Sequence, residues 1–74
     1  MESPTPTARL GKAIRRHRQA LGMSQDAFAD GIEMHRAYFG AIERGSKNVT
    51  IATLIRVAEG LGVSMSDLMR DAKL

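Results

Sequence analysis

The chain has no cysteine among its 74 residues, and it has no apolar run long enough to cross a membrane. Without cysteine it can form neither a disulfide nor a thiolate metal site. The two histidines, His17 and His35, lie too far apart to share a helical turn, so we expect no metal site. The missing apolar span and the polar first residues, which hold no apolar signal core, favour a cytoplasmic protein with no membrane partner.

Signatures of catalysis are also missing. The sequence has no glycine-rich phosphate loop, no nucleophile elbow and no metal-ligand spacing. A domain of this size leaves little volume for a ligand pocket, so we expect no enzyme activity, no cofactor and no small-molecule ligand. A chain this short buries only about 60% of its unfolded surface, and association with a second copy is the most direct way to add stability.

Acidic residues are absent from one basic segment, although the formal net charge of the whole chain is only +3. The basic residues of that segment are Arg9, Lys12, Arg15, Arg16 and Arg18. The next stretch is acidic, with Asp26, Asp30 and Glu33. A basic stripe of this density is typical either of a solvated helix face or of a surface that binds phosphate.

The periodicity predicts a compact all-α domain, a five-helix bundle, over residues 8–74, preceded by a disordered N-terminal tail over residues 1–7. Capping residues predict where the helices begin, and they are Thr7, Ser24, His35, Thr50 and Ser64. Glycines predict where three of them end, and they are Gly22, Gly45 and Gly62. Only residues 31–33 separate the second helix from the third, so the third helix must start at a steep angle.

The third helix, from about Arg36 to Arg44, places Gly40 in its middle at a cost of about 1 kcal/mol relative to alanine. At 100° per residue, Phe39 and Ile42 fall on one side. The other side carries small residues flanked by arginines: Arg36, Ala37, Gly40, Ala41 and Arg44. Such a side suits close approach to the DNA major groove, while Gly40 taken alone is also consistent with close helix packing.

The stretch MSQDAFADGIEMHRAYFGAIERGSKNVTIATL resembles the helix-turn-helix of the Cro and phage-repressor (Xre) family, or lambda-repressor-like domains. Members share a Ser-Gln opening, a short turn and an Ile-Glu-Arg-Gly close, and the resemblance covers the chain from Leu10 to Leu68. Within that family, HRAYFGAIERGSKNVT is most similar to controller proteins of restriction-modification systems. Phage repressors and antitoxins remain alternatives.

The resemblance implies a transcriptional regulator whose partner is double-stranded DNA. Base reading is implied for Arg36 and Ala37, and the bare helix side adds Gly40 and Ala41. Phosphate binding is expected at Gln25, Tyr38, Arg44, Lys47, Asn48 and Thr50. Gln25 has the further implied role of bracing the recognition helix. Glu43 is expected to form a structural ion pair with Arg15 or Arg18.

Two positions depart from the family pattern. His17 stands where relatives carry leucine, and we interpret it as a core residue. Glu33 stands where relatives carry glycine, so we expect a strained backbone there, because a non-glycine residue at positive φ is uncommon.

Apolar residues on the last two helices predict a homodimer. After core positions are assigned, five such residues remain: Ile51, Ile55, Met65, Met69 and Leu74. A two-fold dimer would set its recognition helices about 34 Å apart and bind a pseudo-palindromic operator. The alternative is an interaction module of the same fold, such as an antitoxin, that serves a protein partner instead of DNA.

Overall fold

A computed structural model describes residues 5–74 of the chain. Within that range the backbone forms five α-helices and no strand: α1 (Pro6–Ala20), α2 (Gln25–Gly31), α3 (Arg36–Arg44), α4 (Ile51–Leu61) and α5 (Met65–Asp71). The predicted all-α five-helix architecture is confirmed. Of the predicted tail, residues 1–4 lie outside the described residues, whereas residues 6 and 7 already belong to α1. None of the helices within residues 5–74 is long and apolar enough to cross a membrane.

Hydroxyl side chains cap four of the five helices. The backbone N–H three residues on donates to the cap oxygen, at 3.0 to 3.2 Å, at Thr5, Ser24, Thr50 and Ser64. Three of these caps are the predicted ones, but Thr7 is not the cap of α1. Proline has no N–H to lose at the first helical position, so Pro6 is accommodated there and α1 begins two residues earlier than predicted.

The core lies where the five helices meet. Its largest fully buried side chains are Phe28, Phe39, Ile14, Leu68 and Val57. The rings of Phe28 and Phe39 join α2 to α3, with centroids 5.0 Å apart. Leu21, the C-cap residue of α1, is 49% exposed and lies outside this core.

His17 is also outside the core, contrary to the prediction. Its side chain is 26% exposed, and Nε2 lies 2.6 Å from Oδ2 of Asp71 in α5. Next to it, Arg16 Nη2 donates to the backbone carbonyl of Asp71 at 3.1 Å. The two residues therefore attach the end of α5 to α1 by polar contacts.

Helix α3 is pressed closely against α1 at two glycines. A Cβ at Gly11 would approach the backbone carbonyl oxygen of Glu43 and lie 2.6 Å from that of Ile42. A Cβ at Gly45 would lie 2.5 Å from the Cα of Ala8. Any side chain at these positions would push the helices apart, so the two glycines set the distance between α1 and α3.

The turn between α2 and α3 contains the predicted strained residue. Glu33 adopts φ 55°, in the left-handed region. Arg56 of α4 donates from Nη2 to the carbonyl of Ile32 at 2.5 Å and to that of Glu33 at 3.2 Å. The guanidinium of Arg56 thus binds the carbonyls of the turn from α4 and stabilises an unfavourable backbone conformation.

Candidate nucleic-acid interface

The exposed surface of α3 is narrower than the sequence predicts. Arg36, Ala37 and Arg44 are exposed, as expected. Ala41 is only 6% exposed, so its predicted exposure is wrong, and base reading is no longer proposed for it. Gly40 is buried too, beneath the side chains of Gln25 and Arg44, so its predicted exposure is also wrong and base reading is no longer proposed for it. Because α3 packs against both α1 and α2, its buried arc is wider than a single apolar stripe.

A buried ion pair lies behind α3. Arg18 of α1 donates from Nε to Oε2 of Glu43 at 2.7 Å and from Nη2 to Oε1 at 3.0 Å. The two residues are 7% and 6% exposed. The hydrogen bond to Glu43 raises the pKa of Arg18 above its ordinary value. Arg15 lies further from Glu43, with Nε 3.6 Å from Oε1. Of the two arginines that the sequence offered as partners of Glu43, Arg18 is therefore the close one and Arg15 the distant one.

Gln25 extends the same cluster to α2. Its Nε2 donates to Oε1 of Glu43 at 2.9 Å. The side chain therefore braces α3 from the first residue of α2, which is one of the two roles the sequence left open. An amide nitrogen carries two N–H groups, so one remains for a second acceptor. Through Glu43, the three helices α1, α2 and α3 are joined by charge-assisted hydrogen bonds.

Arg36 begins α3 and is held by two carboxylates of α2. Nε donates to Oδ1 of Asp30 at 3.1 Å, and Nη2 donates to Oδ2 at 2.6 Å. Nη1 is 3.5 Å from Oδ2 of Asp26. The hydrogen bond raises the pKa of Arg36 and lowers that of Asp30. The arginine side chain nevertheless remains 58% exposed.

Sequence reasoning did not find these carboxylate contacts. The available signal was the spacing of Asp26 and Asp30, which are four residues apart and share one face of α2. A short turn then returns the chain to that face, where Arg36 begins the next helix. The contacts of Arg56 with the turn carry no comparable signal, because they depend on how α4 packs.

The residues after α3 continue the exposed polar surface. Lys47 and Asn48 are exposed in the loop to α4, whereas Tyr38 is half-buried against the core. The Thr50 hydroxyl accepts from the Thr53 backbone N–H at 3.1 Å, so it acts first as the cap of α4. The basic stripe on α1 does not form one surface, because Arg18 points into the interior while Lys12 is exposed.

The predicted dimer residues divide into two sets. Ile51, Ile55 and Leu74 are exposed by 71%, 40% and 51%. Met65 and Met69 are half-buried and pack against the core. Met69 and Leu74 also line a largely apolar groove, together with Leu10, Val49 and Leu54.

Helices α2 and α3, joined by the four residues 32–35, form a helix-turn-helix with the recognition helix supported from behind. A family model described as helix-turn-helix matches residues 14–68. The chain therefore belongs to the helix-turn-helix family, as the sequence resemblance predicted. The control protein C.MunI of a Mycoplasma species is 34% identical over 64 residues, which cover 85% of this chain and 86% of the relative.

Solved structures show the same fold. The clp gene regulator ClgR of C. glutamicum superimposes with a TM-score of 0.93 at 29% identity, over 97% of this chain and 92% of ClgR. The restriction-modification controller C.Esp1396I superimposes with a TM-score of 0.81 at 30% identity, over 99% of this chain and 100% of its own. That crystal structure contains a C.Esp1396I tetramer in complex with its natural 35 base-pair operator.

Proposed function

We propose that this chain is a sequence-specific DNA-binding regulator of transcription that places α3 in the major groove. The observation that carries the proposal is the asymmetry of α3. Its back is packed on α1 and α2, and its opposite side presents Arg36, Ala37 and Arg44 to solvent. The family membership and the operator complex of C.Esp1396I support the same function. The proposed role is binding, without catalysis.

Base reading is proposed for Arg36 and Ala37. The guanidinium fork suits guanine O6 and N7, and a methyl group can contact the methyl of thymine. Phosphate contacts are proposed for the exposed Arg44, Lys47 and Asn48. The Tyr38 hydroxyl, the remaining amide N–H of Gln25 and the backbone amides after Thr50 are further donors to phosphate.

We propose that the chain acts as a homodimer on a pseudo-palindromic operator. Exposed Ile51, Ile55 and Leu74 are apolar residues that a second copy would cover. The two recognition helices would then reach half-sites about 34 Å apart. Among regulators of this family, control of restriction-modification genes is the subgroup that we propose, given the likeness to C.MunI and C.Esp1396I.

The test begins with a duplex pool of random sequence, from which the purified protein selects its site. Fluorescence anisotropy then compares the selected site with a scrambled duplex of equal length. We expect a preference for the selected site, and affinity for both that falls by about 10³-fold or more between about 50 and 200 mM salt. No binding to either duplex at low salt would refute the proposal and favour the interaction-module alternative. Light scattering at micromolar concentration checks the dimer, since a mass of 8.1 kDa would exclude it.

A further inference from the structure

The side chain proposed to read a base is already oriented by a neighbour. A guanidinium presents its five N–H groups along three edges. Asp30 occupies the edge formed by Nε and Nη2, with one hydrogen bond to each of its carboxylate oxygens. The adjacent edge is formed by Nη1 and the second N–H of Nη2. Within residues 5–74, the other carboxylate near the guanidinium is that of Asp26, with one oxygen 3.5 Å from Nη1.

The edge formed by Nη1 and Nη2 can therefore still donate to a second two-oxygen or oxygen-nitrogen acceptor. Guanine presents such an acceptor pair, O6 and N7, in the major groove. Arg36 can thus keep its fork with Asp30 while it contacts guanine. A long side chain at the start of a helix otherwise loses rotamer freedom when it binds, and a fork made in advance removes part of that loss.

Asp30 also has an effect of the opposite sign. A carboxylate close to the DNA-facing helix repels phosphate, which weakens binding to every duplex regardless of sequence. Its ion pair is exposed on both sides, 58% for the arginine and 55% for the aspartate, so its contribution to folding stability is small. The two effects on DNA are separable. The repulsion acts on every duplex, whereas the orientation of Arg36 improves binding only where Arg36 meets guanine.

We propose that Asp30 is a positioning residue that holds Arg36 for guanine readout and lowers affinity for non-cognate DNA. This inference rests on the proposed DNA-binding function and on the base-reading role of Arg36. Asp30 contributes to specificity without touching a base.

The experiment compares Asp30→Asn with Asp26→Asn. Both substitutions remove one negative charge from the same face of α2, but only Asp30 makes the two-bond fork. Asparagine at position 30 places an amide nitrogen opposite an arginine donor, so the fork cannot form. Affinities are measured by anisotropy for the selected operator and for a scrambled duplex, in the wild-type background and in an Arg36→Ala background.

We expect Asp30→Asn to strengthen binding to scrambled DNA and to reduce the operator preference about three- to tenfold, since the rotamer freedom of one long side chain is restored. Asp26→Asn should strengthen binding to both duplexes equally and leave the operator preference unchanged. In the Arg36→Ala background, Asp30→Asn should no longer change the preference. The melting temperature of each variant, measured alongside, should stay near that of the wild type, so that the altered preference is not caused by unfolding.

Three results would overturn the inference, and they differ in what else they affect. If Asp30→Asn strengthens operator binding as much as scrambled binding, Asp30 is only a repelling charge, and the proposed function stands. If Arg36→Ala leaves the preference intact, there is no readout for Asp30 to support, although DNA binding itself stands. If the wild type binds no duplex, the proposed function fails together with the inference.

Discussion

Replacement of Gly40 by alanine measures how firmly α3 is held by the side chains that cover it. A Cβ at this position would lie 3.1 Å from Gln25 Oε1 and 3.3 Å from Arg44 Nη1. Both distances are shorter than ordinary van der Waals contact, so both side chains must move by a few tenths of an ångström. Arg44 is exposed and moves at little cost. Gln25 is held by its 2.9 Å hydrogen bond to Glu43, and a shift to about 3.2 Å keeps that bond within the usual range.

The expected change is a small stabilisation. Alanine in place of glycine inside a helix contributes about 0.8–1.0 kcal/mol. Stretching the bond of Gln25 costs about half of a net hydrogen bond, or roughly 0.5 kcal/mol. Gly40→Ala should therefore raise the free energy of unfolding by about 0.5 kcal/mol, which corresponds to a melting temperature about 2–4 °C higher in calorimetry.

Gly11→Ala is the matched control, because Gly11 also lies inside a helix. There the added Cβ would meet the carbonyl oxygens of Ile42 and Glu43, which are backbone atoms and cannot rotate away. We expect it to destabilise by about 1–3 kcal/mol through overpacking. A melting temperature that falls for Gly40→Ala as well would refute the reasoning, since it would show that Gln25 cannot yield. In a Gln25→Ala background, Gly40→Ala should then give the full stabilisation of alanine over glycine inside a helix, about 0.8–1.0 kcal/mol.

Three further predictions concern the ion pair, the DNA contacts and the dimer. Glu43→Gln should destabilise by about 3–5 kcal/mol in urea unfolding, because it leaves a buried arginine without its charged partner; a loss below 1 kcal/mol would contradict a buried pair. Arg36→Ala should cost about 1–3 kcal/mol on the operator and little on scrambled DNA, whereas Lys47→Ala should weaken both alike and lower the salt slope by about one per subunit. If Arg36→Ala weakened binding to both duplexes equally, another residue would have to read the base. Ile51→Ser should weaken the dimer in sedimentation experiments, while Leu21→Ser, an equally apolar change outside the proposed interface, should leave it intact; equal effects would remove Ile51 from the interface.

The limits of the helices are local properties, and the sequence alone was sufficient for most of them. A hydroxyl cap and a glycine at positive φ act within a few residues, so Ser24, Thr50, Gly45 and Gly62 mark helix ends wherever the helices later pack. The start of α1 was misplaced because two threonines, on either side of Pro6, compete for the cap. The strain at Glu33 was also predicted, but from the family resemblance, because relatives carry glycine at this position.

The surface of the recognition helix was decided only by the tertiary structure. Periodicity gives one apolar side, but α3 is covered from two directions, so Gly40 and Ala41 are buried although their angles on the helix suggested exposure. The choice of partner for Glu43 and the carboxylate fork on Arg36 likewise depend on how three helices meet. Such contacts join residues 6 to 25 positions apart, and their geometry is set by helix packing, which local sequence signals do not specify.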